Sequence, residues 1–269
     1  MDPYSRGVIG HRMPTEHQRL RLVERTLDPR TRALVDSLGL PPTARCVDLG
    51  AGAGSVARWL AERFPLGHVV ATDTATDFLD AGSASNLKIV RHDVTRDDFP
   101  SASFDLVHTR WLLANLPDRE AVLARIARWV APGGWLLVEE PAMVLHDSSP
   151  YPDFRRLMDA FEHLLGASHG GDTRWARRLP ASIARTGLEP TGMLMSMLTV
   201  GDRGPSDDLY RIFMAQLRPA FVKGGLVTEE EYERAIAVLD EPGFLDVTTS
   251  VISVKARRPG GPDPAPVSH

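Results

Sequence analysis

Residues 46–55 place Asp48 just before three glycines, Gly50, Gly52 and Gly54, at alternate positions. Glycine is favoured where the backbone needs positive φ or where a ligand must approach it closely, so this turn is expected to be a binding loop. Apolar residues before the acid predict a strand, and the apolar spacing after the loop predicts an amphipathic helix. A strand, a tight turn and a helix would thus place a ligand in contact with the backbone of the glycine loop.

The charge and glycine spacing of this turn discriminate among nucleotide ligands. A dinucleotide site has the spacing G-x-G-x-x-G, whereas the spacing here is G-x-G-x-G. A carboxylate at Asp48 would repel phosphate, and no G-K-[ST] follows, which excludes a P-loop. A carboxylate beside a glycine turn suits a ligand with a cationic end. S-adenosylmethionine is such a ligand, because it carries both an ammonium and a sulfonium.

Three later apolar runs, 68–73, 87–94 and 104–110, each bring a charged residue to the end of an expected strand. Asp73 ends the first of these runs, a position from which a carboxylate can grip two ribose hydroxyls. Strands that alternate with helices predict a parallel sheet with right-handed crossovers, whose ligand lies beyond the carboxyl ends of the strands. The side chains expected together at that edge are Asp48, Asp73, Asp93 and Arg110.

Five segments of the chain resemble the class I S-adenosylmethionine-dependent methyltransferases. They are VDLGAGAG, VVATD, VRHDV, FDLVHTRWLLANLPD and APGGWLLVEE. The sequence is most similar to the bacterial small-molecule branch of the ubiquinone/menaquinone-methyltransferase type, closely over residues 44–141 and more loosely to about residue 256. The resemblance implies an α/β fold, with a Rossmann-like seven-stranded sheet that is mostly parallel with an antiparallel last strand. It also implies helices on both faces and a helical lid inserted late in the chain.

The resemblance also implies where the cofactor would be held. Asp93 would lie near the adenine amino group with Val94 beside the ring. Arg110 would reach the methionine carboxylate, or would instead pair with Asp118 or Glu139. The predicted cofactor-binding residues are Asp48, Gly50, Ala51, Gly52, Gly54, Asp73, Thr74, Asp93, Val94 and Arg110.

Two positions depart from the family pattern. Ala51 stands where the first loop usually has cysteine, a common variant that leaves cofactor binding intact. Asn115 stands where many relatives have histidine, so any role of that ring is absent or moved. Residues 139–141 do not match the asparagine-proline-proline-tyrosine motif of amino-methylating nucleic-acid enzymes. No His, Asp or Glu cluster has metal-ligand spacing, so no metal is expected.

Methyl transfer from a sulfonium mainly requires that the acceptor be held in line with the methyl group. A hydroxyl or amine acceptor gains from a base, and histidine suits neutral pH. His146 after the fifth strand and His163 on the first lid helix are the candidate bases, with His11 a weaker third. For each of them, a surface or packed histidine is the alternative interpretation.

Apolar side chains late in the chain indicate the acceptor. They predict a moderately apolar, adaptable pocket, with packing of the lid onto the sheet as the alternative. The expected substrate is a small, partly apolar metabolite, aromatic or polyketide-like, of secondary metabolism, with O-methylation favoured over N- or C-methylation. The substrate-binding residues predicted from this pattern are Phe154, Met158, Phe161 and Phe213, with Leu217, Met193, Met195 and Met197 as further candidates. The resemblance adds Tyr4 and His11, because an N-terminal arm often folds over the cofactor in that branch; the alternative is an arm that only covers a sheet face.

The length of 269 residues fits a single domain with insertions. Apolar spacing over residues 15–38 predicts two helices broken at Asp28-Pro29. A short helix is expected to begin at residues 76–81, a longer one covers 173–186, and Thr228 begins a capping box. The expected parts are a helical arm at 1–40, a methyltransferase domain at 41–256 with lid insertions at about 146–170 and 204–241, and a disordered tail at 257–269.

Composition and charge limit the remaining function classes. A formal net charge of −4 gives no electrostatic footprint for nucleic acid, which disfavours an RNA substrate. Cys46 is the single cysteine, and no segment has the pattern of a membrane span or a signal peptide. A cytoplasmic protein is therefore expected, and the sequence is compatible with a homodimer. One alternative function is that of a methyltransferase-fold protein that uses bound S-adenosylmethionine for cyclisation or for sensing. A nucleotide-dependent oxidoreductase is disfavoured by Asp48 and the glycine spacing.

Overall fold

The computed structural model describes residues 15–169 and 172–260. The strands are β1 Arg45–Leu49, β2 His68–Asp73, β3 Leu87–Arg91, β4 Phe104–Arg110, β5 Val130–Ala142, β6 Glu189–Val200 and β7 Asp246–Arg257. The α-helices are α1 Glu16–Asp36, α2 Ser55–Arg63, α3 Arg119–Trp129, α4 Pro152–His169, α5 Leu179–Ala184, α6 Pro205–Lys223 and α7 Glu229–Val238. Residues 1–14 and 261–269, which hold parts of the predicted arm and tail, lie outside this description.

All seven strands form one sheet in the order β3-β2-β1-β4-β5-β7-β6. Strands β1 to β5 pair in parallel, whereas β7 runs antiparallel to both of its neighbours, β5 and β6. The predicted Rossmann-like sheet with an antiparallel last strand is therefore confirmed.

Helices cover both faces of the sheet because successive strand residues point to opposite sides. Val47 of β1 belongs to the apolar cluster under α3 and α5, while its neighbour Cys46 belongs to the cluster under α2 and the end of α1. A third cluster joins α4, α6 and α7 to the first half of α1 and includes Leu198 and Val251 of the two antiparallel strands. None of the helices in the described ranges combines the length and hydrophobicity needed to cross a membrane.

Helix α1 runs unbroken from Glu16 to Asp36 although Pro29 lies inside it, so the predicted break is wrong. Proline removes one helix hydrogen bond. On either side of it, however, Asp28 and Thr31 both accept hydrogen bonds from Arg110 of β4. These tertiary contacts hold both halves of the helix against the sheet, and they outweigh the local preference of proline.

Two other predicted helices differ from the structure. Residues 74–86 form turns with no helix at 76–81, because this segment is rich in small residues with little apolar surface to bury. The predicted helix at 173–186 divides into a 3-10 turn, Trp175–Arg178, and the short α5, which has proline in its first turn. The capping box at Thr228 is confirmed, since its hydroxyl accepts the N–H of Glu231 at 3.1 Å.

Candidate functional site

The main cavity lies beyond the carboxyl ends of β1, β2 and β4. In the sheet, β1 is flanked by β2 on one side and β4 on the other. Ligands of open parallel sheets bind at such a reversal of strand order. The cavity is closed on its other side by α1, α4 and α6. All of the predicted cofactor-binding residues except Gly54 line this cavity.

The loop after β1 has the backbone that its glycines predict. Gly50, Gly52 and Gly54 have φ of 68°, 58° and 82°, in the left-handed region that favours glycine. Gly54 forms the N-cap of α2, which explains its absence from the cavity wall. Gly52 donates its N–H to Oδ2 of Asp73 at 3.0 Å. The loop is thus joined directly to the end of β2.

Asp73 and Asp93 are both oriented by donors in their own turns. Oδ1 of Asp73 accepts the N–H of Ala75 at 3.1 Å. Oδ1 of Asp93 accepts both the N–H and the hydroxyl of Thr95, at 3.0 and 2.6 Å. Such local hydrogen bonds fix the direction of a short side chain. Both carboxylates therefore reach the cavity in defined positions.

A buried histidine that the sequence reasoning missed joins two strands at the floor of the cavity. His108 of β4 lies between two carboxylates, with Nδ1 2.7 Å from Oδ1 of Asp48 and Nε2 3.2 Å from Oε1 of Glu139. Thr31 and Ser253 donate hydroxyl hydrogen bonds to Glu139 at 2.6 and 2.8 Å. The signal that could have found His108 is the pairing of β1 with β4, which sets it opposite Asp48.

The charges of this cluster follow from its contacts. Burial lowers the pKa of His108, but the carboxylates of Asp48 and Glu139 outweigh burial and raise the pKa to about 9. Burial acts to raise the pKa of Glu139, but the hydrogen bond and charge of His108 dominate and hold it below its ordinary value. An imidazolium between two carboxylates leaves one negative charge in excess. This floor therefore attracts a cationic group.

Arg110 lies on the cavity wall and bonds to α1. Its Nη2 donates to Oδ1 of Asp28 and its Nη1 to Oγ1 of Thr31, each at 3.0 Å. Among the described residues, Arg110 forms no hydrogen bond with Asp118 or Glu139, although its positive charge helps to lower the pKa of Glu139. The predicted pairing of Arg110 with Asp118 or Glu139 is replaced by a link between β4 and α1.

The loop after β4 is held by a buried acid. Oε1 of Glu140 accepts the N–H groups of Leu113 and Leu112 at 2.8 and 3.3 Å, and Oε2 accepts that of Ala114 at 3.1 Å. Burial raises the pKa of Glu140 to about 7, against the effect of these three donors. Trp111, which begins the loop, has a φ of 55°, an uncommon value for a bulky residue.

Apolar side chains form the other end of the cavity. Phe161 of α4 and Phe213 of α6, both predicted as substrate-binding, lie here with ring centroids 6.3 Å apart. Trp111 reaches the same place, with its ring 6.4 Å from that of Phe213. Leu209 and Met214 of α6 complete this end. The cavity therefore changes from polar at the glycine loop to apolar under α4 and α6.

Several predicted substrate residues do not reach this wall. Phe154 and Met158 are completely buried in the cluster of α4, α6 and α7, so they support the wall from behind. Leu217 is buried in the same cluster. Met193 and Met195 are 54% and 42% exposed on the edge strand β6, away from the cavity.

Neither predicted base lies on the cavity wall. His146 is buried, with Nε2 3.3 Å from Oδ1 of Asp159 and 3.2 Å from Oε2 of Glu162. His163 is exposed on α4. Both assignments are withdrawn, because a base must come within hydrogen-bonding distance of the acceptor. His11, the third candidate base, and Tyr4, predicted to bind the substrate, lie outside the described residues.

Helix α1 contributes a third wall. Glu16 and Arg19 are both buried, and their side chains form an ion pair with Nη2 of Arg19 2.6 Å from Oε1 of Glu16. Leu20, Val23 and Glu24 line the cavity beside them. The described part of the predicted arm therefore faces the cavity. Within residues 15–169 and 172–260, no three His, Cys, Asp or Glu side chains converge as a metal site would require.

Comparison with known proteins gives one family match and a consistent fold. Residues 47–138 match the family described as a methyltransferase domain. Trans-aconitate 2-methyltransferase of Deinococcus radiodurans is 35% identical over 141 residues, which cover 52% of this chain and 52% of that protein. The chain thus spans about half the length of this curated relative.

Solved structures share the fold at lower identity. Phosphoethanolamine N-methyltransferase 2 of Haemonchus contortus has a TM-score of 0.58 and 16% identity over 92% of this chain and 58% of that chain. The [4+2]-cyclase SpnF has a TM-score of 0.57 and 15% identity over 87% of this chain and 81% of its own. At these identities the likeness supports the fold alone. The ubiquinone/menaquinone branch suggested by the sequence stays a prediction.

Proposed function

We propose that the chain is an S-adenosylmethionine-dependent methyltransferase that transfers the cofactor's methyl group to a small, partly apolar acceptor. The match of residues 47–138 to a methyltransferase domain supports this proposal. One observation carries this proposal: a single cavity has a polar end at the glycine loop and an apolar end under α4 and α6. The polar end suits a nucleoside cofactor and the apolar end a second small molecule. Methyl transfer requires both ligands in line within one such space.

The polar end offers a partner for each part of the cofactor. Asp73 at the end of β2 would bind the ribose hydroxyls, and Asp93 with Val94 would border the adenine. Arg110 has five N–H donors, and its bonds to Asp28 and Thr31 leave others for a carboxylate. The excess negative charge around Asp48 suits the ammonium and sulfonium groups. Gly50, Ala51, Gly52 and Thr74 would complete this end.

The chain's own residues mainly position the acceptor. The cofactor, when bound, supplies a methyl group that is already activated. His108 is an imidazolium at neutral pH because its pKa is about 9, so it does not act as a base. Oxygen is the favoured acceptor atom, since a phenolic or enolic hydroxyl can ionise without a strong base, with a pKa of about 10 for a phenol.

The insertions at about 146–170 and 204–241 would act as the lid. They supply α4 and α6, whose side chains Phe161 and Phe213 cover the apolar end. Helix α1 lies beside α6 and adds Glu16, Arg19 and Leu20 to the cavity wall. We place the protein in the cytoplasm and its reaction in secondary metabolism, as the sequence predicts.

Calorimetric titration with S-adenosylmethionine and S-adenosylhomocysteine tests the proposal. Asp73→Asn should weaken both affinities about tenfold or more, because it removes a charged hydrogen-bond acceptor at the ribose. Asp77→Asn is the matched control, since Asp77 is exposed four residues later and should bind like the wild type. Equal affinities in both variants would move the ribose contact elsewhere. Absence of binding to the wild type would contradict the proposed function.

The alternative function is a non-methylating use of the bound cofactor, in cyclisation or sensing. SpnF, named as a [4+2]-cyclase, shares the fold but at an identity that carries no argument for this chain. Turnover distinguishes the two functions. Release of S-adenosylhomocysteine in step with acceptor methylation supports a methyltransferase, and bound cofactor that stays intact while the acceptor is converted supports the alternative.

A further inference from the structure

We propose that the apolar end of the cavity selects a neutral acceptor whose carbonyl or ether oxygen accepts hydrogen bonds from Trp111 and Tyr210. This inference rests on the proposed function and names the class of its acceptor. The favoured class is a hydroxylated aromatic ketone or a similar oxygenated molecule. Carboxylate and phosphate acceptors are disfavoured.

Trp111 presents an unused donor at this end. Its indole N–H is buried and has no hydrogen-bond partner among the described residues, although the ring borders the cavity. A buried donor without a partner destabilises a protein unless something satisfies it. A ligand oxygen in the cavity would do so.

The position of the Trp111 ring is imposed by its surroundings. Its φ of 55° is unfavourable for a bulky side chain, and such strain is concentrated at functional sites. The backbone N–H of Trp111 donates to the carbonyl oxygen of Glu139 at 2.8 Å. Its own carbonyl oxygen accepts from Nδ2 of Asn115 at 2.7 Å. These bonds keep the indole facing Phe213.

Tyr210 presents a second unused donor. It is 5% exposed and lines the cavity, and its hydroxyl has no partner within the described part of the chain. It lies on α6 one turn before Phe213, so both side chains are on the same face of the helix. Burial raises the pKa of this hydroxyl well above its ordinary value. Tyr210 therefore stays protonated and donates.

The charges on the wall disfavour an anionic acceptor. Five described carboxylates line the cavity against two arginines and the imidazolium of His108. Each of these cations already has a carboxylate partner. The pairs are Arg19 with Glu16, Arg110 with Asp28, and His108 with Asp48. An acceptor with several negative charges would thus meet net repulsion in a partly buried space.

The reaction of such an acceptor balances without a further reagent. A bond forms between the acceptor's hydroxyl oxygen and the methyl carbon as the bond from that carbon to the sulfonium sulfur breaks. The hydroxyl proton leaves to water, and S-adenosylhomocysteine is the second product. Trp111 and Tyr210 hold a different oxygen of the acceptor, so they do not weaken the nucleophile.

The test is a titration of the protein saturated with S-adenosylhomocysteine, followed through its indole N–H resonances and by calorimetry. The probes are hydroxyacetophenone, ethylphenol, which lacks the ketone, and trans-aconitate as the carboxylate. Hydroxyacetophenone should bind about tenfold more tightly than ethylphenol and move the Trp111 indole signal to lower field. Trp111→Phe assigns that signal, and Trp59→Phe, which alters a tryptophan away from the cavity, should bind like the wild type.

Tyr210→Phe keeps the packing of the ring and removes only the hydroxyl. It should weaken the binding of hydroxyacetophenone several-fold and leave that of ethylphenol unchanged, with the Trp111 hydrogen bond retained. Equal binding of the two probes to the wild type, tightest binding of trans-aconitate, or no binding of any probe would overturn the inference. Failure to bind S-adenosylhomocysteine would instead overturn the proposed function, so the two failures are distinguishable.

Discussion

Replacement of His108 by glutamine tests the charge cluster at the floor of the cavity. His108 is 1% exposed and lies between Asp48 and Glu139, so its positive charge has no access to solvent. Glutamine keeps much of the length of the side chain but cannot carry charge. The variant therefore removes the proton linkage of His108 and leaves the rest of the sheet in place.

The expected size follows from the pKa shift. His108 has an ordinary pKa of 6.5, which the two carboxylates raise to about 9 in the folded protein. A raised pKa means that the folded state holds a proton the unfolded state releases, so the stabilisation is complete below pH 6.5 and is lost as the pH rises through 9. At about 1.4 kcal/mol per pH unit, the loss amounts to about 3 kcal/mol.

Urea unfolding followed by circular dichroism from pH 6 to 9.5 measures this loss. Groups whose pKa does not depend on His108 cancel in the difference between wild type and His108→Gln, which should fall by up to about 3 kcal/mol over the interval. His92→Gln is the matched control, because burial lowers the pKa of His92 and predicts no such change above pH 6.5. A difference that stays constant or grows with pH would refute the account of the cluster.

Three further variants test other parts of the structure. Burial raises the pKa of Glu140 from 4.5 to about 7. The free energy of unfolding of the wild type relative to Glu140→Gln should therefore fall as the pH rises from 4.5 to 7 in the same urea assay. A constant difference would contradict this. Pro29→Ala should increase the free energy of unfolding by about 1–2 kcal/mol, because a proline inside a helix lacks the N–H that would donate a helix hydrogen bond. A decrease would mean that the proline stabilises α1. Gly50→Ala should lower the free energy of unfolding by about 1 kcal/mol and weaken the binding of S-adenosylmethionine. The reason is that φ of Gly50 is 68° and the new Cβ would lie 3.2 Å from the side chain of Leu112. An unchanged melting temperature and affinity would argue against this strain.

The polar end of the cavity was predictable because it depends on local patterns. An apolar run, an acid and three glycines define β1, its loop and α2 over residues 46–63. Parallel strands then bring Asp48, Asp73 and Arg110 to one edge without any knowledge of packing. The left-handed φ values of the loop are a direct consequence of its glycines.

The parts that were missed depend on long-range contacts. His108 and Asp48 are 60 positions apart, and their pairing needs the register between β4 and β1. Helix α1 continues past Pro29 because Arg110 bonds to residues on both sides of it. Burial of His146 beside Glu162 likewise depends on how α4 folds back onto the preceding turn. Local spacing carries none of this information.

The most direct test of the central claim is thermal unfolding of the wild type with S-adenosylmethionine, S-adenosylhomocysteine and NAD in parallel. A ligand at about a hundred times its dissociation constant adds about 2.7 kcal/mol, which for a chain of this length raises the midpoint by roughly 5–10 °C. The account predicts that both adenosyl ligands raise the midpoint and that NAD does not. A rise with NAD alone would contradict the assignment of Asp48 and the glycine loop to a cationic nucleoside ligand.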